Sequence, residues 1–185
     1  MERIDIFKDP FDAEERRQLL MESIWNFCPE LADTALDICR TKEGKPCLVY
    51  ENSGRSVAGV HFSISHSGGL WSCAVSDSPC GLDLQKMRSA AFEALAKRFF
   101  FPEESRYIKE AGLRGFYEIW TRREALAKYT GLGFFGMSAQ RPRLVDTEGK
   151  PAAAVPWNDR RVVFEEIKVP DGYLAVWCHE EEETE

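Results

Sequence analysis

Between residues 60 and 65 apolar and polar positions alternate, with Val60, Phe62 and Ile64 on one side and His61, Ser63 and Ser65 on the other. A period of two over that length predicts a half-buried strand. Ser67-Gly68-Gly69 is a turn, and residues 70–76 predict the returning arm of a hairpin, closed by Asp77-Ser78-Pro79. The alternation resumes over 81–85, where Leu82 and Leu84 share one face and Asp83 and Gln85 the other. Upstream, Ile4 and Ile6 suggest a short strand. Leu19, Leu20, Ile24 and Phe27 then predict a helix over 12–27, with Asp12 as N-cap and Pro29 as stop. Leu31, Ala35 and Ile38 extend the helical spacing and predict a second helix over 31–40, before Gly44-Lys45-Pro46 breaks the pattern.

Beyond the third strand the period is again helical, over 90–101, 103–111 and 115–129, with breaks at Phe101-Pro102 and Gly131-x-Gly133. Strands are predicted at 143–145, 161–169 and 173–178, the last two joined through Pro170-Asp171-Gly172. The class is α+β with mainly antiparallel sheet. The turn at 77–79 divides the chain into an N-terminal half, 1–78, and a C-terminal half, 79–179, followed by an acidic tail, 180–185.

At 185 residues, 44% hydrophobic and 30% charged, the composition fits one globular domain or two small halves sharing an interface. No apolar run approaches the ~18 residues of a membrane span. The start, MERIDIFKDPFD, lacks the apolar centre of an export signal, so a soluble cytoplasmic protein is expected. The formal charge is −7, but the tail holds five carboxylates and the body without it stands at −2. Neither nucleic acid nor a membrane surface is an expected partner. From 86 to 128 the balance reverses, with ten Lys or Arg against six Asp or Glu. Such a stretch suits a phosphorylated ligand or an acidic partner, and equally an ordinary solvated helix surface. The six cysteines, at 28, 39, 47, 73, 80 and 178, form no C-x-x-C pair, and the three histidines complete no zinc spacing. They are expected to be reduced thiols.

Three places could carry chemistry. Asp83 lies on the otherwise apolar segment G-L-D-L-Q, where a carboxylate is either solvated or bound to a cation, because burying it unpaired is costly. Gln85 shares its face and offers a neutral oxygen. Trp120, Glu124 and Lys128 fall at i, i+4 and i+8 and form one row on a helix. That row is either a surface ion pair, Glu124 with Lys128, or a site in which Glu124 joins Asp83 to hold Mg²⁺ while Lys128 contacts phosphate. Ser65, His66 and Ser67 sit where a strand opens into a glycine turn able to hold an anion. The same segment is similar to a degraded nucleophile elbow, which makes a serine hydrolase using Ser67 a remote alternative. His179 is the one downstream histidine such a triad could use.

Order and spacing join these signals. G-K-P at 44–46, F-S-I-S-H-S at 62–67, C-G-L-D at 80–83, A-K-R-F-F at 96–100 and W-T-R-R-E-A-L-A-K at 120–128 closely resemble the motifs of the 4′-phosphopantetheinyl transferase superfamily, surfactin-synthetase-activating type. The resemblance spans residues 44–133. It implies two similar α+β halves in pseudo-twofold arrangement, with the site between them. It further implies transfer of phosphopantetheine from coenzyme A to a serine of an apo acyl or peptidyl carrier protein, releasing adenosine 3′,5′-bisphosphate. By the same resemblance Asp83 and Glu124, with Gln85 beside them, hold Mg²⁺; Lys45, Ser65 and His66 contact coenzyme phosphates; and Lys128 sits on the diphosphate. Catalysis then rests on Glu124, Asp83 and Lys128, in a protein expected to be a monomer.

Three departures from the family pattern stand out. Gln85 occupies a position often held by glutamate. Arg123 replaces the usual lysine before the catalytic glutamate, which changes reach and geometry. The region before Gly44 is short for this type, leaving Arg40 and Lys42 as candidates by position for the coenzyme's 3′-phosphate. A relative that binds coenzyme A or a carrier protein without turnover is the alternative these departures raise.

Overall fold

The computed structural model describes residues 1–89, 92–136 and 141–181. Near the N-terminus, β1 (Glu2–Lys8) leads into α1 (Ala13–Phe27). Asp12 caps that helix, its Oδ1 accepting from the backbone N–H groups of Glu14 (2.9 Å) and Glu15 (3.0 Å). Leu20, Met21 and Ile24 form its buried face.

Residues 31–40 are not a second helix. A 3₁₀ turn over Pro29–Leu31 leads to β2 (Leu36–Arg40), which pairs antiparallel with β3 (Pro46–Tyr50). Asp33, Thr34, Asp37 and Cys39 are weak helix formers. The ladder with β3, in which Leu36 lies opposite Tyr50 and Ile38 opposite Leu48, turns those apolar positions onto the core. Helical spacing of three residues was too little signal against that long-range gain.

β4 (His61–Ser67) and β5 (Leu70–Ser76) are the expected hairpin, and β1 adds to the far side of β5, giving the order β1-β5-β4. After a three-residue link β6 (Cys80–Lys86) opens a second sheet, β6-β9-β8-β7, with β7 (Ala154–Trp157), β8 (Arg160–Ile167) and β9 (Tyr173–Glu180). All pairings within the sheets are antiparallel. The strand expected at 143–145 is reduced to an isolated bridge between Val145 and Pro151, while β7 was not anticipated. Of the acidic tail, residues 182–185 lie outside the described residues.

Between the sheets come α2 (Phe92–Phe99), α3 (Pro102–Thr130) and the single turn α4 (Gly133–Gly136). The expected first residues of α2, 90 and 91, lie outside the described residues. α3 is a helical hairpin, because Gly112 (φ 67°, ψ −143°) breaks it in two. The first arm folds back along the second, so that Glu104 meets Arg123 at 2.6 Å and Tyr107 meets Glu118. Phe100, Phe116 and Trp120 pack between α2 and α3, with ring centroids 5.6–6.1 Å apart. None of the described helices is long and apolar enough to cross a membrane.

The second arm of α3 packs on β6, and Gly81 permits the approach. A Cβ there would stand 2.0 Å from the carbonyl oxygen of Ala125. The two sheets are joined differently. Ser63, Ser65 and Ser67 on β4 accept hydrogen bonds from the backbone N–H groups of Leu82, Leu84 and Lys86 at 2.9, 3.0 and 3.0 Å. The constant offset means that β4 and β6 run side by side in the same direction. Alternate hydroxyls take the place of a backbone ladder.

Candidate functional site

Asp83 lies midway along β6, on the face turned to α3, and is 2% exposed. Its carboxylate is surrounded by donors. Oδ1 accepts from Lys128 Nζ (2.8 Å) and Ser65 Oγ (3.0 Å), and Oδ2 from Gln85 Nε2 (3.1 Å). Three elements thus converge on one carboxylate. β6 places Gln85 beside it by period two, the serine row of β4 supplies Ser65, and the second arm of α3 supplies Lys128.

Lys128 also donates to the carbonyl of Leu82 (2.9 Å). The intrahelical pairing of Glu124 with Lys128 is therefore not what this helix row builds; the ammonium crosses to β6. Glu124 stands one turn earlier on the same side. Burial, with the negative charge of Asp83 close by, pushes its carboxyl up to about 6, and the Lys128 ammonium opposes that rise. Asp83 and Lys128 are thus close enough for both of their charges to act on the Glu124 carboxyl.

Beside this pair is a cavity of about 250 Å³ lined by Arg40, Lys45, Phe62, Glu124, Lys128 and Gly131, among others. Lys45 enters it from the turn between β2 and β3. Its Nζ donates to the carbonyls of Tyr129 (3.0 Å) and Cys80 (3.2 Å), tying that hairpin to the C-terminal end of α3 and the start of β6. Burial holds its ammonium pKa below the usual lysine value. Arg40 lines the same cavity and donates to the carbonyl of Gly44 (2.8 Å), whereas Lys42 is not among the lining residues.

Other candidates stand elsewhere. His66 is exposed and lies on the opposite face of β4 from Ser65, where its charge acts on Asp9. Arg123 turns away from the cavity. It is fully buried, pairs with Glu104 and donates to the carbonyl of Pro142 at 2.8 Å. Glu104 in turn accepts from the N–H groups of Leu144 (2.7 Å) and Phe101 (3.0 Å). The arginine in the motif locks the α3 hairpin to the following loop. Ser67 accepts from Lys86 N–H at one end of β6, while His179 lies opposite Cys80 at the other, about 20 Å away at ~3.3 Å per residue. Ser67 and His179 cannot act as one triad.

The residues that sequence reasoning missed are Glu104 and the linking function of the serine row. Three alternating serines were the available signal for the second; nothing local marks the first.

Among the described residues no three His, Cys, Asp or Glu side chains cluster at metal-binding separations. Asp83 and Glu124 nevertheless suit a hard divalent cation. Mg²⁺ commonly takes one or two carboxylates and completes its shell with water and phosphate oxygens. Burial, and after it the negative charge of Asp83, raises the Glu124 pKa, and a cation bound there would relieve both effects. Gln85 directs its amide nitrogen to Asp83, so it supports that carboxylate directly.

A family model described as the 4′-phosphopantetheinyl transferase superfamily matches residues 79–178. The chain is 28% identical over 142 residues to the 4′-phosphopantetheinyl transferase psf-1 of Bacillus pumilus, covering 71% of this chain and 60% of that protein. It is 29% identical over 140 residues to the 4′-phosphopantetheinyl transferase Sfp of Bacillus subtilis (strain 168), covering 73% and 59%. It is 33% identical over 123 residues to the 4′-phosphopantetheinyl transferase HetI of a Nostoc species, covering 59% and 52%. The chain spans about 60% of the length of the first two of these relatives.

Proposed function

Since this chain belongs to the 4′-phosphopantetheinyl transferase superfamily, we propose that it transfers 4′-phosphopantetheine from coenzyme A to a serine hydroxyl of an apo acyl or peptidyl carrier protein, with Mg²⁺ as cofactor. The observation that carries this reading is a cavity lined by Glu124 and Lys128 together with Arg40 and Lys45, with Lys128 bonded to the buried Asp83 behind it. Arg40, Lys45 and Lys128 around the opening, with Glu124 on its lining and Asp83 next to Lys128, suit a magnesium diphosphate. The cavity lies below the ~300–1,000 Å³ usual for ligand pockets, so it encloses only part of coenzyme A.

Asp83 and Glu124 would hold Mg²⁺. When bound, Mg²⁺ supplies charge neutralisation on the diphosphate and polarises the attacked phosphorus. The rest of the chemistry is positioning and proton transfer. The carrier serine oxygen attacks the phosphorus that bears pantetheine, and the bond from that phosphorus to the bridging oxygen breaks. Glu124, directly or through a water, takes the serine proton. Lys128, which bonds Asp83 in the metal-free chain, turns to the departing adenosine 3′,5′-bisphosphate and stabilises its charge. Ser65 keeps Asp83 oriented from the other sheet. The basic balance of residues 86–128 favours encounter with an acidic carrier through those of its Lys and Arg side chains that reach solvent.

The test is intact-mass spectrometry of an apo carrier protein incubated with coenzyme A, Mg²⁺ and this protein. The carrier gains one phosphopantetheine, and a chelator stops the gain. Tight coenzyme binding with no gain on any of a panel of fatty-acid, polyketide and peptide-synthetase carriers would instead select a non-catalytic binder.

A further inference from the structure

We propose that Cys39 and Cys47 form a reversible oxidation site, closing a cross-strand disulfide when a low-molecular-weight disulfide is the oxidant. The ladder between β2 and β3 places Cys39 directly opposite Cys47. Thr41 N–H donates to the Lys45 carbonyl (2.8 Å) and Glu51 N–H to the Ala35 carbonyl (3.0 Å), so the 41/45 and 35/51 pairs are hydrogen-bonded. Antiparallel pairs alternate in type, which makes 39/47 a hydrogen-bonded pair as well. Pro46, without an N–H, falls on the intervening 40/46 pair, as that alternation requires. Hydrogen-bonded pairs hold their Cα atoms ~5.5 Å apart, within the ~4.4–6.8 Å span of disulfides.

Both thiols look outward. Leu36, Ile38, Leu48 and Tyr50 take the core-facing side of this hairpin, and the cysteines alternate with them. Cys39 is exposed and Cys47 half-buried. The thiols are near enough for a charge on Cys39 to raise the pKa of Cys47, on which burial has the larger effect. Cys73, Cys80 and Cys178 are fully buried, and Cys28, at the end of α1, is pushed up to about 11 by burial. Among the described strands no other two cysteines are opposed.

The chemistry balances in two exchanges. The Cys39 thiolate attacks one sulfur of the oxidant, releasing one thiol and leaving a mixed disulfide. The Cys47 thiolate attacks the Cys39 sulfur, releasing the second thiol; two protein thiols are oxidised and one disulfide is reduced to two thiols. The second exchange is intramolecular, and the effective concentration of a thiol across one ladder rung favours it over accumulation of the mixed disulfide. Arg40 and Pro46, the next residues along from each cysteine, line the cavity of the candidate site, so the modification falls one peptide away from it.

The experiment treats the full chain with excess glutathione disulfide, alkylates remaining thiols and maps the peptides. The expected result is one Cys39–Cys47 linkage with the other four cysteines alkylated, reversed by a thiol reductant. In Cys47→Ser the reaction stops at one glutathionyl group on Cys39. A stable Cys39 mixed disulfide in the unsubstituted protein, or dimers linked through Cys39, would overturn the proposal.

Discussion

Ser65 Oγ stands 3.0 Å from Asp83 Oδ1 and 3.0 Å from the backbone nitrogen of Leu84, so one hydroxyl of the β1-β5-β4 sheet both orients the central carboxylate and joins that sheet to the next. Ser67 makes the same kind of backbone bond, to Lys86, without touching a carboxylate. The two serines separate a joining role from an orienting one. Each serine-to-alanine change is expected to cost about 1 kcal/mol of stability for the lost bond. Ser65→Ala alone is expected to weaken Mn²⁺ binding by about 10- to 100-fold, the usual penalty for removing a partner that orients a ligand. Electron paramagnetic resonance of free Mn²⁺ reads that affinity. Equal effects of the two substitutions would reduce Ser65 to a joining residue.

Glu124 sets a pH dependence. Its carboxyl is raised from the ordinary 4.5 to about 6 in the folded metal-free chain. A raised carboxyl favours the fold while protonated in both states, below 4.5, and that stability is lost as pH climbs through about 6. At pH 7.5 the ionised Glu124 is therefore a liability to the metal-free protein. Glu124→Gln is expected to stabilise it there by about 1 kcal/mol, after discounting for the part of the side chain that meets water. The corresponding rise of ~2–4 °C in Tm should vanish near pH 4.5. The same substitution is expected to lower transfer by about 10²- to 10⁴-fold, as loss of a general base does. Thermal melts across pH, in chelator and in Mg²⁺, check the first expectation.

Arg123 is expected to behave as a structural residue. Removing one member of a buried pair leaves the other charge uncompensated and costs ~3–5 kcal/mol. Arg123→Ala should lose that much in urea unfolding, because Glu104 keeps its 0% exposure with its counter-ion gone. The double change Arg123→Met with Glu104→Leu should recover a large part of it. Recovery of stability together with transfer activity would assign the arginine's part to holding the α3 hairpin.

Gly81 is expected to be irreplaceable by any larger residue. Its substituent would meet backbone, the Ala125 carbonyl at 2.0 Å and the Tyr129 nitrogen at 2.7 Å, and neither can swing aside as a flexible side chain would. Gly81→Val should push α3 off β6 and separate Lys128 from Asp83. Loss of the cooperative thermal transition, or a large drop in Tm with activity abolished, is the expected outcome.

These residues show what the chain makes legible. Period-two alternation located β4 and β6, the Ser67-Gly68-Gly69 turn located β5, the Asp12 cap located α1, and the helix row from Trp120 to Lys128 set Glu124 and Lys128 on one side of a helix. Each is a local pattern, readable without knowing what lies opposite. The strand over residues 36–40 was lost to a helical reading because its reason for being extended, the pairing with 46–50, is across a turn. The serines of β4 read as a polar face to solvent, whereas their partners are backbone groups 19 residues away, which no side-chain pattern announces. Arg123 likewise gave its charge to a glutamate 19 residues back, through a fold of α3 at Gly112 that the helical period alone does not show.

The most direct measurement is transfer of a fluorescent pantetheine from labelled coenzyme A to an apo carrier protein by the unsubstituted chain, Asp83→Ala and Glu124→Ala, each confirmed folded by circular dichroism. Strong labelling by the first and loss of at least 100-fold by both variants is the predicted result. Labelling by either variant at the unsubstituted rate would contradict the two-carboxylate site.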